Sequence, residues 1–130
     1  MKPTILLIED NEQNRYLATF LLERHGYEVA SAPDGLQGIE AAKTAIPALI
    51  LLDIQLPMMD GYAVAQALRE IESLRDIPII AVTSYAMVGD REKCLAAGCN
   101  GYIEKPINPE TFIAEIEMFL PHPPVRPGIT

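Results

Sequence analysis

The sequence predicts an α/β fold: a doubly wound, five-stranded parallel sheet carrying five helices. Three observations predict it. Strand-like and helix-like segments alternate five times along 130 residues. The strand segments include unbroken Ile, Leu and Val runs, as strands buried on both faces do. The βα units are also long enough to cross over and return to a parallel neighbour, which places helices on both faces.

Each element follows from local signals. Thr4-Ile5-Leu6-Leu7-Ile8 is the first strand and ends at Glu9-Asp10. Leu17, Phe20 and Leu21 repeat at i, i+3, i+4 and predict a helix that stops at His25-Gly26, with glycine in the usual stop position. Tyr27 to Ala30 is a short second strand. Asp34-Gly35 opens a helix on Leu36, Ile39 and Ala42, closed by Pro47. Ala48 to Leu52 is a fully apolar strand that delivers Asp53 to its tip. Val64, Leu68 and Ile71 mark the third helix. The fourth strand, Pro78 to Val82, ends at Thr83-Ser84. A fourth helix is expected from about Met87 to Ala97, with a thin apolar stripe in which Cys94 and Leu95 stand out. Gly101 to Glu104 is the last strand, followed by Lys105-Pro106. Asn108-Pro109-Glu110 then reads as a helix start, a capping residue before a first-turn proline. Phe112, Ile116, Phe119 and Leu120 give that helix its buried face.

Composition narrows the function. Residues 1–120 read as one domain, and 121–130 as a proline-rich tail, expected to be disordered. Eighteen acids against ten bases leave a net charge of −8, the wrong sign for a nucleic-acid surface. Two cysteines, Cys94 and Cys99, fall short of a disulfide or zinc framework and read as reduced packing residues. Glu9 interrupts the N-terminal apolar run too early for a signal peptide. No stretch approaches the ~20 apolar residues of a membrane span. These features point to a cytoplasmic protein with no membrane or nucleic-acid partner.

In open parallel sheets, ligands bind beyond the carboxyl ends of the strands, where the strand order reverses. That rule selects the rim holding Glu9, Asp10, Asp53, Thr83 and Lys105. Three carboxylates and an ammonium on one rim suggest a site for a divalent cation and a phosphoryl group.

The chain from Ile5 to Leu120 resembles the receiver domains of two-component response regulators. The resemblance rests on Glu9-Asp10-Asn11, the run Asp53-Ile54-Gln55-Leu56-Pro57-Met58-Met59-Asp60-Gly61, Val82-Thr83 and Lys105-Pro106, in that order and spacing. It is most similar to single-domain receivers of the chemotaxis and cell-division regulator type. The resemblance implies a flavodoxin-like receiver fold with strand order 2-1-3-4-5 and a cis peptide before Pro106. It implies Asp53 as phospho-acceptor, taking a phosphoryl group from a sensor histidine kinase or a histidine phosphotransfer protein. Mg2+ would be held by Asp10, Asp53 and the carbonyl of Gln55, with Glu9 reaching it through water. The family more often has aspartate where Glu9 stands. The resemblance gives Lys105 and Thr83 to the phosphoryl oxygens. It makes Thr83 and Tyr102 a switch that alters the surface of the fourth helix, fifth strand and fifth helix, where a downstream protein would bind. Gln55 and Tyr85 would border the phosphoryl group.

Such a protein is a phospho-acceptor signalling domain, a monomer or weak dimer with no DNA-binding output, and not an enzyme acting on an external metabolite. Its own phosphorylation and dephosphorylation are the chemistry it would assist. Alternatives are a pseudo-receiver that binds partners without phosphorylation, or a phosphatase of the haloacid dehalogenase class. The latter wants a second acid two residues after its nucleophile, where this chain has Gln55. Met58 and Met59 fit either a cover over the site or a face toward a partner, or else plain packing, and Tyr102 either a switch or a static strand tyrosine. His25 reads as a helix C-terminal residue.

Overall fold

The computed structural model describes residues 2–84 and 89–120. Tyr85, the expected start of the fourth helix at Met87, and the tail 121–130 lie outside the described residues. Strands β1 (Thr4–Ile8), β2 (Glu28–Ala32), β3 (Leu49–Asp53), β4 (Ile79–Thr83) and β5 (Gly101–Glu104) form one parallel sheet, ordered β2-β1-β3-β4-β5. Helices α1 (Glu12–Arg24), α2 (Gly35–Ala45), α3 (Gly61–Arg69), α4 (Asp90–Ala97) and α5 (Phe112–Glu117) connect and follow them. The expected fold class and strand order are both present.

Side chains alternate across each strand with period two, so each strand feeds two cores. Leu6, Ile8, Ile50, Leu52, Ile79 and Ala81 pack with Ala42, Val64, Leu68 and Cys94, beneath α2, α3 and α4. Ile5, Leu7, Leu49, Leu51, Ile80 and Val82 face the other way, onto Ala18, Leu22, Phe112 and Ile116 of α1 and α5.

Several helix faces differ from the apolar stripes in the sequence. In α1 the buried residues are Ala18, Leu21 and Leu22, while Phe20 is 49% exposed. Phe20 instead lies beside the Arg24 guanidinium, 6.0 Å from its ring centroid, a cation–π pair on the outer surface. In α2, Leu36 faces solvent and the buried face is Gly35, Gly38 and Ala42. A Cβ on Gly38 would lie 2.5 Å from Ile8 Cδ1, so the helix sits closer to the sheet than any side chain there would allow. In α3, Val64 and Leu68 are buried as expected, and Ile71 is half-buried just beyond the helix. Leu95 is exposed, and α4 anchors through Cys94 and Ala97. Cys94 and Cys99 are buried free thiols; burial pushes the Cys99 thiol up to about 12.

Two boundaries also shift. β2 starts at Glu28 because Tyr27 turns into the core, its hydroxyl donating to Glu117 Oε2 at 2.6 Å. Asn108 caps as expected, its Oδ1 accepting from the Glu110 N–H at 3.0 Å. It caps only a turn, however, and regular helix begins at Phe112. Phe112, Ile116 and Leu120 are buried and Phe119 half-buried, as the spacing predicted.

At the opposite end of the sheet from the acidic rim, Arg69 ties three connections together. Its Nε donates to the Gly98 carbonyl at 2.8 Å, and its Nη1 reaches the carbonyls of Leu74, Arg75 and Ile77 at 3.1, 3.0 and 2.8 Å. Nη2 donates to Asn100 Oδ1 at 2.6 Å, which also accepts the Ile79 N–H at 2.9 Å. A planar fork with several fixed donors suits this cluster of carbonyls at chain ends.

Candidate functional site

The sheet register assembles the rim. Ile8 pairs with Leu52, Asp53 with Val82, and Thr83 with Glu104, so the tips of β1, β3, β4 and β5 stand side by side. Backbone bonds continue past the strands: Glu9 N–H to Ala32 O at 3.0 Å, Ile54 N–H to Val82 O at 3.1 Å, and Lys105 N–H to Thr83 O at 2.8 Å. These bonds hold the residues just beyond each strand in fixed positions.

Glu9, Asp53 and Thr83 are buried, the polar residues so placed among the described ones. Lys105 reaches between the two acids, its Nζ 3.0 Å from Glu9 Oε1 and 3.2 Å from Asp53 Oδ2. The peptide joining it to Pro106 is cis. Burial alone would lower the Lys105 pKa, but the hydrogen bond to Glu9 and the charges of Asp53 and Glu9 outweigh it and hold it above the ordinary lysine value. Burial first, then the hydrogen bond and charge of Asp53, push the Glu9 carboxyl up to about 7, against the pull of Lys105. The Asn11 N–H donates to Glu9 Oε2 at 3.2 Å, and Arg15 Nη1 donates to the Glu9 carbonyl at 2.8 Å.

Asp10 is exposed beside this pair. Glu9, Asp10 and Asp53 each offer an oxygen to one cluster, all within 4.8 Å of one another, a set that could hold a metal ion. Hard oxygen donors with two or three negative charges suit a small divalent cation. Asp53 Oδ1 accepts the Gln55 N–H at 2.9 Å, leaving Oδ2 toward Lys105. Gln55 sends its side chain sideways: Oε1 accepts from Ser84 Oγ at 2.6 Å and from the Ser84 N–H at 3.2 Å. Thr83 ends β4 on the same rim. Gly61, held to the Ile54 carbonyl at 2.9 Å, brings the start of α3 against Asp53, since a Cβ there would lie 2.6 Å from the Asp53 carbonyl oxygen. Met58 takes a left-handed conformation (φ 65°) and is 86% exposed, whereas Met59 is half-buried and packs toward α2. Met59 thus has a packing role, and Met58 projects into solvent.

The structure brings Glu9, Asp10, Asp53, Gln55, Thr83 and Lys105 to one rim. It does not bring Tyr102 there. Tyr102 is half-buried on β5, against the α2–α3–α4 core and beside a groove of about 350 Å³ between α4 and α5. Burial, then the charges of Glu104 and Asp90, raise its hydroxyl pKa. His25 is the C-cap of α1, its Nδ1 2.8 Å from the Leu21 carbonyl. Ser84 and Arg15 were not anticipated as contributors, because neither lies in a spacing that marks them; only the folded rim reveals their partners.

A buried aspartate under a strand-end lysine, flanked by a pair of acids just beyond the first strand of a 2-1-3-4-5 sheet, defines a class of protein: the chain belongs to the response regulator receiver domains, matching that family over residues 5–117. It is a receiver of two-component signalling. Among relatives, it is 43% identical to the polar-differentiation response regulator DivK of Brucella ovis over 120 residues, covering 92% of this chain and 98% of that one. The chemotaxis protein CheY4 of Vibrio cholerae superposes with a TM-score of 0.89 at 28% identity, covering 92% of this chain and all of that one. The receiver domain of a sensor histidine kinase from Pseudomonas aeruginosa PAO1, determined with magnesium coordinated in its active-site cleft, superposes with a TM-score of 0.84 at 37% identity, covering 92% and 98% of the two chains.

Proposed function

We propose that this receiver takes a phosphoryl group on Asp53 from a phosphohistidine of a sensor histidine kinase or a histidine phosphotransfer protein. The observation that carries the reading is the Asp53 carboxylate, buried at the tip of β3 with one oxygen 3.2 Å from Lys105 and the other held by the Gln55 N–H at 2.9 Å. A carboxylate oxygen of Asp53 attacks phosphorus, the phosphorus–nitrogen bond breaks, and the departing imidazole takes up a proton. The Lys105 ammonium then turns from the free carboxylate to a phosphoryl oxygen, with no long excursion to make. Thr83, at the adjacent strand tip, supplies a hydroxyl for another. This is positioning and charge stabilisation, the main source of catalysis in phosphoryl transfer.

Mg2+ would suit the acidic cluster, where Asp10, Asp53 and Gln55 would hold it with Glu9 beside them. When bound, it neutralises the repulsion between a dianionic phosphoryl group and the carboxylates. The longer Glu9 already engages Lys105, so the acid at this position serves the lysine as well as the metal site.

The readout face would be α4–β5–α5, where exposed Leu95 and Met118 flank the groove beside Tyr102 and Phe119. A downstream protein would bind there after Thr83 and Tyr102 rearrange. The protein would act in the cytoplasm; among the described residues no helix is long and apolar enough to cross a membrane.

Intact mass after incubation with acetyl phosphate tests the reading. Wild type gains one phosphoryl group only with Mg2+, and Asp53→Asn gains none. A wild type that stays unlabelled would instead support a pseudo-receiver.

A further inference from the structure

A groove of about 530 Å³ opens where β1, β3 and β4 begin, at the end of the sheet away from the acidic rim. Pro3, Pro47, Ala48, Ile77 and Pro78 line it, and Phe119 and Leu120, just past α5, form one wall. Its backbone polar groups are already engaged. The Pro3 and Pro78 carbonyls accept from the Glu28 and Ile50 N–H groups at 2.9 Å each, and the Ala48 N–H donates to the Thr4 carbonyl at 2.8 Å. The Ile77 carbonyl is held by Arg69. The three prolines bring no N–H of their own. What remains is apolar surface with one charged residue in its described lining, Asp76.

An occupant of such a surface should be apolar, poor in N–H donors and free of acids. Residues 121–130, which lie outside the described residues, start directly after Leu120 in the groove wall. Their first seven, Pro121-His122-Pro123-Pro124-Val125-Arg126-Pro127, hold four prolines, one branched apolar side chain and one of the chain's ten bases, but none of its eighteen acids. Proline-rich segments favour polyproline II, a conformation already low in entropy that docks in aromatic-lined grooves. At about 3.1 Å per residue, the six residues from Leu120 to Arg126 reach up to about 19 Å, more than enough to cross this one. We propose that segment 121–126 folds back into the groove, with Val125 against Ile77 and Phe119 and Arg126 toward Asp76. Composition alone predicts a disordered tail, because it does not see the surface at the tail's root. Phe119 also lines the groove beside Tyr102, so a seated tail holds a ring that the readout face presents as well.

Nuclear magnetic resonance of the 130-residue chain tests this. Overhauser cross-peaks from the Val125 methyls to Ile77 and to the Phe119 ring are expected within one molecule. Amide order parameters at Val125 and Arg126 should be near 0.85, the value of rigid backbone. Val125→Asp should drop the Arg126 value below about 0.6 and move the Ile77 and Phe119 signals. Arg126→Glu, which sets an acid against Asp76, should lower the Val125 value too. Both variants leave residues 1–120 unchanged, so folding of the sheet is not at stake. Wild-type order parameters below about 0.6, without those cross-peaks, overturn the proposal. So does a Val125→Asp chain whose Arg126 stays rigid and whose groove signals stay in place. Cross-peaks found only between differently labelled molecules overturn it as well, and assign the groove to a second copy of the chain.

Discussion

Replacing Arg69 by methionine keeps the aliphatic stem and removes the fork that joins the end of α3 to the entries of β4 and β5. The guanidinium meets the carbonyls of Gly98, Leu74, Arg75 and Ile77 and the side-chain oxygen of Asn100. Nη1 has two hydrogens for three carbonyls, so these contacts amount to about four full bonds. Bonds from a charged donor are worth roughly 1.5–3 kcal/mol each when buried, but Arg69 is half-exposed and water replaces part of each. Taking somewhat under 1 kcal/mol per bond gives a loss of about 3 kcal/mol. At this chain length that corresponds to a fall in Tm of about 10 °C. Urea unfolding followed by circular dichroism measures it, with the slope against urea checked for constancy. Arg69→Lys should recover little, because a single ammonium cannot address carbonyls on several sides. A loss below about 1 kcal/mol for Arg69→Met would refute the reasoning, showing that water serves these carbonyls as well as the fork does.

Two further outcomes follow from the site. Gly61→Ala should cost about 1–3 kcal/mol and slow labelling of Asp53, since the new methyl would stand 2.5 Å from Ile54 Cα and must displace backbone; unchanged melting and labelling would show that the turn gives way freely. The Glu9 carboxyl is held up at about 7 against an ordinary 4.5, so the folded state favours its protonated form. Its contribution to stability is complete below about 4.5 and lost as pH rises through 7, so the metal-free protein should weaken by on the order of 2 kcal/mol from pH 5 to pH 8. Glu9→Gln should flatten that slope in chemical unfolding, and Mg2+ affinity should climb over the same window in wild type; a slope that survives Glu9→Gln assigns it elsewhere.

The strands were the most legible part of the chain, because a parallel sheet covered on both sides leaves continuous apolar runs such as Leu49 to Leu52. The acids and the lysine were legible because they follow those runs directly. Helix orientation was harder. A search for large apolar side chains finds Leu36 and passes over Gly35 and Gly38, although the glycines face the sheet and the leucine faces water. The same bias selected Phe20 over Ala18. Start signals were also ambiguous, since Asn108 caps a turn in the same way that it would cap a helix. The Ser84–Gln55 and Arg15–Glu9 contacts join residues whose meeting depends on loop paths, and no periodicity encodes those.

The glycine face of α2 divides that helix into two regimes of substitution. Gly35 and Gly38 press against Val64 and Ile8, where even one added carbon collides, while Leu36, Gln37, Glu40, Lys43 and Thr44 stand in water. Ile8 in turn directly precedes Glu9 and Asp10. A random library over α2, sorted for folded protein, should therefore return near-constant columns at Gly35 and Gly38, a small-residue column at Ala42, and freely drifting ones at the exposed positions. Selection on the outward columns could then give the helix a new surface without touching the strand that carries the acids.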